Sequence, residues 1–518
     1  MSHSGTRRAT TCRQLAAIGF DSAWKVANRL SDAYDHRQAL SQPTVRAEAD
    51  LAAITGGLLR RWRSGQAVAG DLHAARGSAA TSPMWVRPVP AHLISELPLT
   101  MSLIEADRDV PALIVKIGYY PVQAGGLGAV RTLGRLGVPV HVIAEDPFTS
   151  LALSRYRARR FRWRTTGLEQ ADVLVSGLAD IGARIGRRCV PIPTDDEAAT
   201  LLAEHADELS EHFLIPRVDP GLPRRLASKH ELFLLCREHD IPAPEAALVS
   251  SGAELAAHAE HAVFPLVVKN GAPWVRLRAK MVSSTTVVHT KEQLAAFADT
   301  RHEDFKLFIQ EYIPREHARD WIVHVYCDAN SDCLALFTAL KLRSWPAHAG
   351  NTACAYTTFN PVLADLARRF CKAVGFQGIA DLDWRLDLRD GRYKLVDFNP
   401  RVGNNFSLFQ TRGGMDVVRA MHLDLTGRSV PADEQVDGRR LVVEHYDLAA
   451  RMAYRGAERA MPAAAERAAT TVRAFASADD PLPFLALWPR QSRQVLSRAF
   501  GLPRSRKPSW AAGSSMRP

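Results

Sequence analysis

The chain of 518 residues has no apolar run approaching the roughly 18 to 20 residues that cross a membrane, and its N-terminus lacks the hydrophobic stretch of a secretory signal. A cytoplasmic protein without a membrane span is expected. Cysteine is scarce. The seven thiols, at Cys12, Cys189, Cys236, Cys327, Cys333, Cys354 and Cys371, form no CxxC pair and no regular framework, which excludes a disulfide scaffold and predicts reduced thiols. Charge of one sign is missing from the body of the chain. The net charge is +11, but residues 1–100 carry 12 basic and 7 acidic side chains and residues 428–518 carry 15 and 9, so 101–427 is neutral. With no basic stripe there and no zinc-finger, RRM or KH signature, nucleic acid is not the expected partner. Internal repeats are absent too, as is any convincing Ser-His-Asp or Cys-His set.

What is present is enough apolar content, 47%, for two or three domains with proper cores. Residues 1–100 show no clear period and read as a poorly ordered N-terminal extension, with Met101 a candidate natural start. N-terminal sequencing of protein from its native cell tests that start. From 101 to 220 the pattern alternates strand and helix ("ALIVKIG", "GGLGAVRTLGRLG", "VPVHVIAED"), which predicts a small doubly wound parallel-sheet domain. Residues 221–428 alternate helices with antiparallel strands, giving an α/β and α+β class overall. Residues 429–518 read as a short helical segment with a basic tail. The glycine turn at Gly125, Gly126 and Gly128, with Glu145 and Asp146 about twenty residues on, suggests a dinucleotide fingerprint and hence an NAD(P)-dependent oxidoreductase. The third glycine would fall at Arg131, so tight packing is the better reading.

The most informative stretch is "DLDWRLDLRDGRYKLVDFNPR", 381–401. A three-residue loop, Arg389 to Gly391, would pair 388 with 392, 383 with 397 and 381 with 399. One face of that ribbon carries Asp381, Asp383, Asp397 and Asn399; the other carries Leu382, Trp384, Leu386, Val396 and Phe398. Opposed carboxylates repel by a few tenths to about 1 kcal/mol. A divalent cation such as Mg2+ would reverse that sign, since carboxylate and amide oxygens are its preferred ligands. A solvated surface hairpin is the alternative.

Other candidates are weaker singly. Ser228 and Glu231 form a capping box that places Lys229 in a first helical turn, where a nearby anion would be favourable. Lys269 ends a strand, and the loop after it carries Arg276, Arg278 and Lys280. "LFIQEYIP" ends a strand at Gln310 and Glu311, a position from which a purine could be read. Lys341 and Arg343, two apart on one strand face, could bind a substrate carboxylate or phosphate, or form a solvated edge; His348 and Asn404 are fainter.

In order, the two lysines, "IQEYIP" and an acid pair fourteen residues apart that ends in "DFNPR" resemble the ATP-grasp superfamily. The branch is similar to the carbamoyl-phosphate-synthase-like and D-aspartate-ligase-like carboxylate-amine ligases. The resemblance spans about 111–427 and implies an ATP-grasp fold preceded by a small α/β domain. It implies ATP and Mg2+ (or Mn2+) as cofactors. Lys229 and Lys269 would contact phosphates, which of Arg276, Arg278 and Lys280 joins them being open, and Glu311 with the Tyr312 backbone would hold adenine, with Gln310 and Ile313 also at the nucleotide. Glu316 or Asp320 would hold the ribose, and Asp383, Asp397 and Asn399 the metal. Arg401 would face the γ-phosphate or acyl phosphate. Its implied partners are a small-molecule carboxylate and an amine, and its implied assembly a homodimer. Both metal positions are Asp, where Glu is common in that superfamily. A nucleotide-binding regulatory module without catalysis is the rival within the same fold.

Overall fold

The four residues of Ala112–Val115 (β1), ALIV, are all buried, as a strand covered on both faces requires. Val140–Ala144 (β2), Arg157–Arg162 (β3) and Val190–Pro193 (β4) join it in a parallel sheet ordered β3-β2-β1-β4. The computed structural model describes residues 104–271, 286–298, 306–348, 350–455, 461–468 and 470–487. The N-terminal extension, the basic loop holding Lys280 and the basic tail lie outside these residues.

Ala246–Val249 (β5), Leu266–Asn270 (β6), Thr286–Val288 (β7) and Leu307–Glu311 (β8) make a small antiparallel sheet, β5-β8-β6-β7. Seven more strands form the large sheet: Ala318–Cys327 (β9), Cys333–Trp345 (β10), Asn351–Thr357 (β11), Gly378–Asp387 (β12), Arg392–Asn399 (β13), Arg439–Val442 (β14) and Thr470–Arg473 (β15). Their order is β13-β12-β9-β10-β11-β14-β15. The C-terminal segment thus adds two strands as well as helices, because the apolar end of β14 pairs with β11 and buries Leu441.

Five helices matter for the site: Ala124–Arg135 (α1), Asp196–Glu204 (α2), Lys229–Glu238 (α3), Pro361–Ala373 (α4) and Glu444–Ala453 (α5). Helices α3 and α4 cover one face of the large sheet, where Leu235, Phe370, Val323, Val325, Leu382, Trp384 and Phe398 share a core. On the other face, Ile114, Val130 and Leu133 of the parallel-sheet region share a core with Ile322, Phe406 and Met421.

Gly125, Gly126 and Gly128 lie inside α1 rather than in a turn. They let the helix approach the segment that follows the hairpin. A Cβ on Gly125 would strike the carbonyl of Gly403, and one on Gly128 would come within 2.6 Å of Phe406 Cδ1. Glu145 is buried against Lys116 and accepts from the Tyr120 amide, so it is not open to a ribose. The glycine motif serves packing. Gly125→Ala is expected to destabilise the fold by about 1–3 kcal/mol through overpacking, seen as a lowered thermal midpoint. An unchanged midpoint would show that the helix and the 402–407 segment are free to separate.

Candidate active site

The hairpin β12–β13 carries the acidic face, with Asp381 opposite Asn399 and Asp383 opposite Asp397. Nearer the turn the register differs from expectation. Asp387, not Leu388, pairs with Arg392, so the loop has four residues and closes on Gly391 at φ +71°. A bulge at Val396 absorbs the difference, because Trp384 pairs with Leu395 while Asp383 pairs with Asp397. Leu395, rather than Val396, therefore enters the core beside Leu382, Trp384 and Phe398, and Leu386 is half-buried.

Each opposed carboxylate has its own ammonium. Lys229, in the first turn of α3 behind the Ser228 cap, donates to Asp397 at 2.9 Å. Lys341, on β10, donates to Asp383 at 3.2 Å. Burial alone would lower the Lys229 ammonium, but the Asp397 carboxylate holds it above its ordinary value. Asp397 is held below the usual carboxylate range, Lys229 outweighing burial, whereas burial keeps Asp383 above it despite Lys341. Asn399 donates its amide to the Asp381 carbonyl at 3.0 Å, which leaves its side-chain oxygen for other partners.

Asp381 is the anchor of the face rather than a free ligand. Arg401 donates to it at 3.0 Å, and His324 Nε2 lies 3.0 Å from its other oxygen while reaching Asn405 at 2.6 Å. Although burial opposes it, His324 and Arg401 hold the Asp381 carboxyl well below the usual range. Arg401 also sits 3.6 Å from Asp196, at the first turn of α2. Asp196 was not legible as a site residue in the sequence, since only the tertiary fold brings the parallel-sheet region to this place. Burial pushes its carboxyl up to about 6, against the pull of Arg401. One Asp196 oxygen is buried without a hydrogen bond.

Lys269, on β6, donates to Gln310 on β8 at 3.1 Å. Burial, reinforced by Lys229, pushes its ammonium down to about 7. Asp320 on β9 is held by both guanidinium arms of Arg385, at 2.6 and 3.0 Å, and contributes to the field at Lys341. Arg385 shares the strand parity of Asp381 and Asp383, so alternation alone could have found it. The Glu311 carboxylate is engaged by Arg389 and, at 3.2 Å, by Lys394 of the hairpin, rather than open to an exocyclic amine. Ile313 is buried and Tyr312 half-buried beside it. Glu316 is exposed in the turn Arg315–His317 and joins none of these ion pairs.

Arg343 departs from expectation. A bulge at Leu342 pairs Lys341 with Ala355 but Arg343 with Cys354, so the two side chains leave on opposite faces. Arg343 is buried and donates two bonds to Asp447 of α5, at 2.8 and 2.6 Å. His348 lies 2.6 Å from an Arg315 nitrogen.

Lysines from three elements, two arginines and five carboxylates thus meet over the acidic face, on a hairpin that forms one edge of the large sheet. An acidic hairpin face ringed by lysines is what the resemblance to the ATP-grasp superfamily implies. Over 238 residues the chain is 26% identical to the D-aspartate ligase of Enterococcus faecium (strain Aus0004), covering 44% of this chain and 56% of that protein. The chain therefore spans about half the length of this curated relative. No family model matches. Solved structures similar to this chain include the biotin carboxylase of Campylobacter jejuni, with 14% identity, 64% of this chain and 73% of that one covered, and a TM-score of 0.47. The L-amino acid ligase of Bacillus licheniformis aligns at 14% identity over 62% of this chain and 75% of that one, with a TM-score of 0.45.

Proposed function

We propose that the chain is an ATP- and Mg2+-dependent ligase that joins a carboxylate to an amine through an acyl phosphate. The observation that carries this reading is the opposed pair Asp383 and Asp397, each matched to a lysine from a different element. The donor set fits Mg2+: two carboxylates and the Asn399 amide oxygen are hard ligands on one face. When bound, Mg2+ supplies charge neutralisation for the phosphates of ATP and aligns them.

On this reading Lys229 and Lys269 bind the phosphates, Lys229 turning to them from Asp397. Arg401, fixed by Asp381 from below, faces the γ-phosphoryl group and then the acyl phosphate. Lys341 holds the substrate carboxylate against it. The reaction needs alignment and charge more than a protein nucleophile. Asp196, reaching in from the parallel-sheet region, holds the ammonium of the acceptor and takes its proton before attack, for which a carboxyl pushed up to about 6 is better suited than an ordinary one. Gln310, Tyr312 and Ile313 border the purine, and Asp320, tied to Arg385, reaches the ribose.

ADP release from Mg-ATP with hydroxylamine present, across a panel of amino acids and small carboxylates, tests the proposal. D-aspartate stands first in the panel because of the relative named above. Carboxylate-dependent hydroxamate with ADP is expected. Tight Mg-ATP binding with no hydroxamate for any carboxylate would favour a regulatory module.

Lys269 gives a separate prediction. A lysine pushed down to about 7 is mostly neutral at pH 8 and regains its proton beside a triphosphate. Binding of preformed Mg-ATP at pH 8 is therefore expected to take up about one proton, and clearly less at pH 6. Calorimetry in two buffers of different ionisation enthalpy reads this uptake. No uptake at pH 8, or the same uptake in Lys269→Met, would contradict the assignment.

A further inference from the structure

Cys327, Cys333 and Cys371 lie 6 and 38 residues apart in sequence, with no spacing that suggests a common purpose. The fold brings them together, so that their sulfurs all lie within 4.8 Å of one another. Cys327 ends β9 and Cys333 begins β10, as a cross-strand pair whose sulfurs are 3.1 Å apart. A bulge at Leu334 leaves that side chain exposed and turns Cys333 inward beside Cys327. Cys371 comes from the buried side of α4.

The surroundings hold this arrangement in place. In the turn between β9 and β10, Asp328 accepts from the amides of Asn330 and Asp332 at 2.9 Å each. Lys372, the next residue after Cys371, bonds the Asn330 carbonyl and the Asp332 carboxylate at 2.8 Å each. Helix and turn are thereby latched across the three thiols. The positive charge of Arg368 also acts on Cys333. Cys327 and Cys371 are buried, whereas Cys333 is half-buried, so the group has one side toward solvent.

We propose that these three cysteines form a thiolate site for a soft d10 cation, Zn2+ or Cu+, with the remaining coordination position on the Cys333 side. Metal–sulfur bonds of about 2.3 Å place thiolates that share one tetrahedral ion roughly 3.8 Å apart. Sulfurs within 4.8 Å reach that arrangement by side-chain rotation alone. Thiolate ligands select soft cations over Mg2+. Cys189, Cys236 and Cys354, by contrast, are buried thiols outside this group.

This site is distinct from the carboxylate face. Cys327, with Val323 and Val325, faces the core under α3 and α4, whereas Ile322 belongs to the core on the other face of the sheet. Along β9 it pairs with Gly378, five residues from the position opposite Asp383, or roughly 16 Å at strand spacing. A cation there would tie the β9–β10 turn to α4, independently of the nucleotide.

Titrating the full reduced chain with Cd2+ while following thiolate-to-metal charge transfer in the ultraviolet tests the proposal. A band that saturates at one equivalent, survives excess Mg2+, is displaced by Zn2+ and is lost in both Cys333→Ser and Cys371→Ser is expected. Alkylation of the wild-type chain gives a reading independent of how the variants fold: Zn2+ should protect Cys333, the half-buried thiol of the three, from a reagent that modifies it in the presence of a chelator. No band in the wild type, a band retained in either variant, or no zinc-dependent protection would overturn the site.

Discussion

Asp397→Asn is expected to lower Mg2+-dependent ADP release by about two to three orders of magnitude, the size of effect seen when one preorganised charge contact to a transferring group is lost. Asn preserves the volume of the side chain, so the hairpin keeps its register while the donor set loses one of its two carboxylates. Lys229 loses its partner at the same time, because Asp397 is the carboxylate that bonds its ammonium. The two losses separate in a magnesium titration. Removal of a metal ligand raises the Mg2+ concentration needed for half-maximal rate, whereas a free Lys229 leaves it alone and strengthens nucleotide binding. A variant with near wild-type turnover at ordinary Mg2+ would remove Asp397 from the metal site.

Arg343→Ala is expected to act on stability instead. Arg343 and Asp447 are both nearly excluded from solvent, with side-chain exposures of 5% and 4%, and face each other at 2.6 Å. Breaking such a pair by removing one partner costs about 3–5 kcal/mol, since the other charge stays buried. Arg451 at 2.6 Å from Asp447 supplies part of the missing charge from a more exposed position. Thermal unfolding should show the loss, and replacing both partners, as Arg343→Met with Asp447→Leu, should recover much of it. A lost turnover rate with an unchanged thermal midpoint would instead return Arg343 to the substrate.

The residues that depended on strand alternation were legible. Asp381, Asp383, Asp397 and Asn399 share a face because a period of two leaves no other arrangement once Leu382, Trp384 and Phe398 are buried. The parallel order of the first sheet followed from short apolar runs separated by a helix. What alternation could not reveal was where it breaks. Leu395 and Val396 are both apolar, so nothing marked which one would bulge, and the loop length came out one residue short. Leu342 hid in the same way, and its bulge turned Arg343 from the site into the core.

Residues that meet only through tertiary packing were beyond reach. Asp196 belongs to a helix start that reads as an ordinary cap in "TDDEA". His324 looks like one polar residue in an apolar strand until β12 sets Asp381 beside it. The three thiols on the opposite face are spaced like no ligand motif, because a hairpin and a distant helix supply them separately.

The most direct test of the central claim follows oxygen. With the carboxylate identified by the hydroxamate panel labelled with 18O, amide formation from Mg-ATP should place one labelled oxygen in the released inorganic phosphate, because the substrate oxygen that attacks the γ-phosphorus leaves with it. Label found in AMP, with pyrophosphate released, would mean that the carboxylate attacks the α-phosphorus, and would contradict an acyl phosphate formed over Asp383 and Asp397.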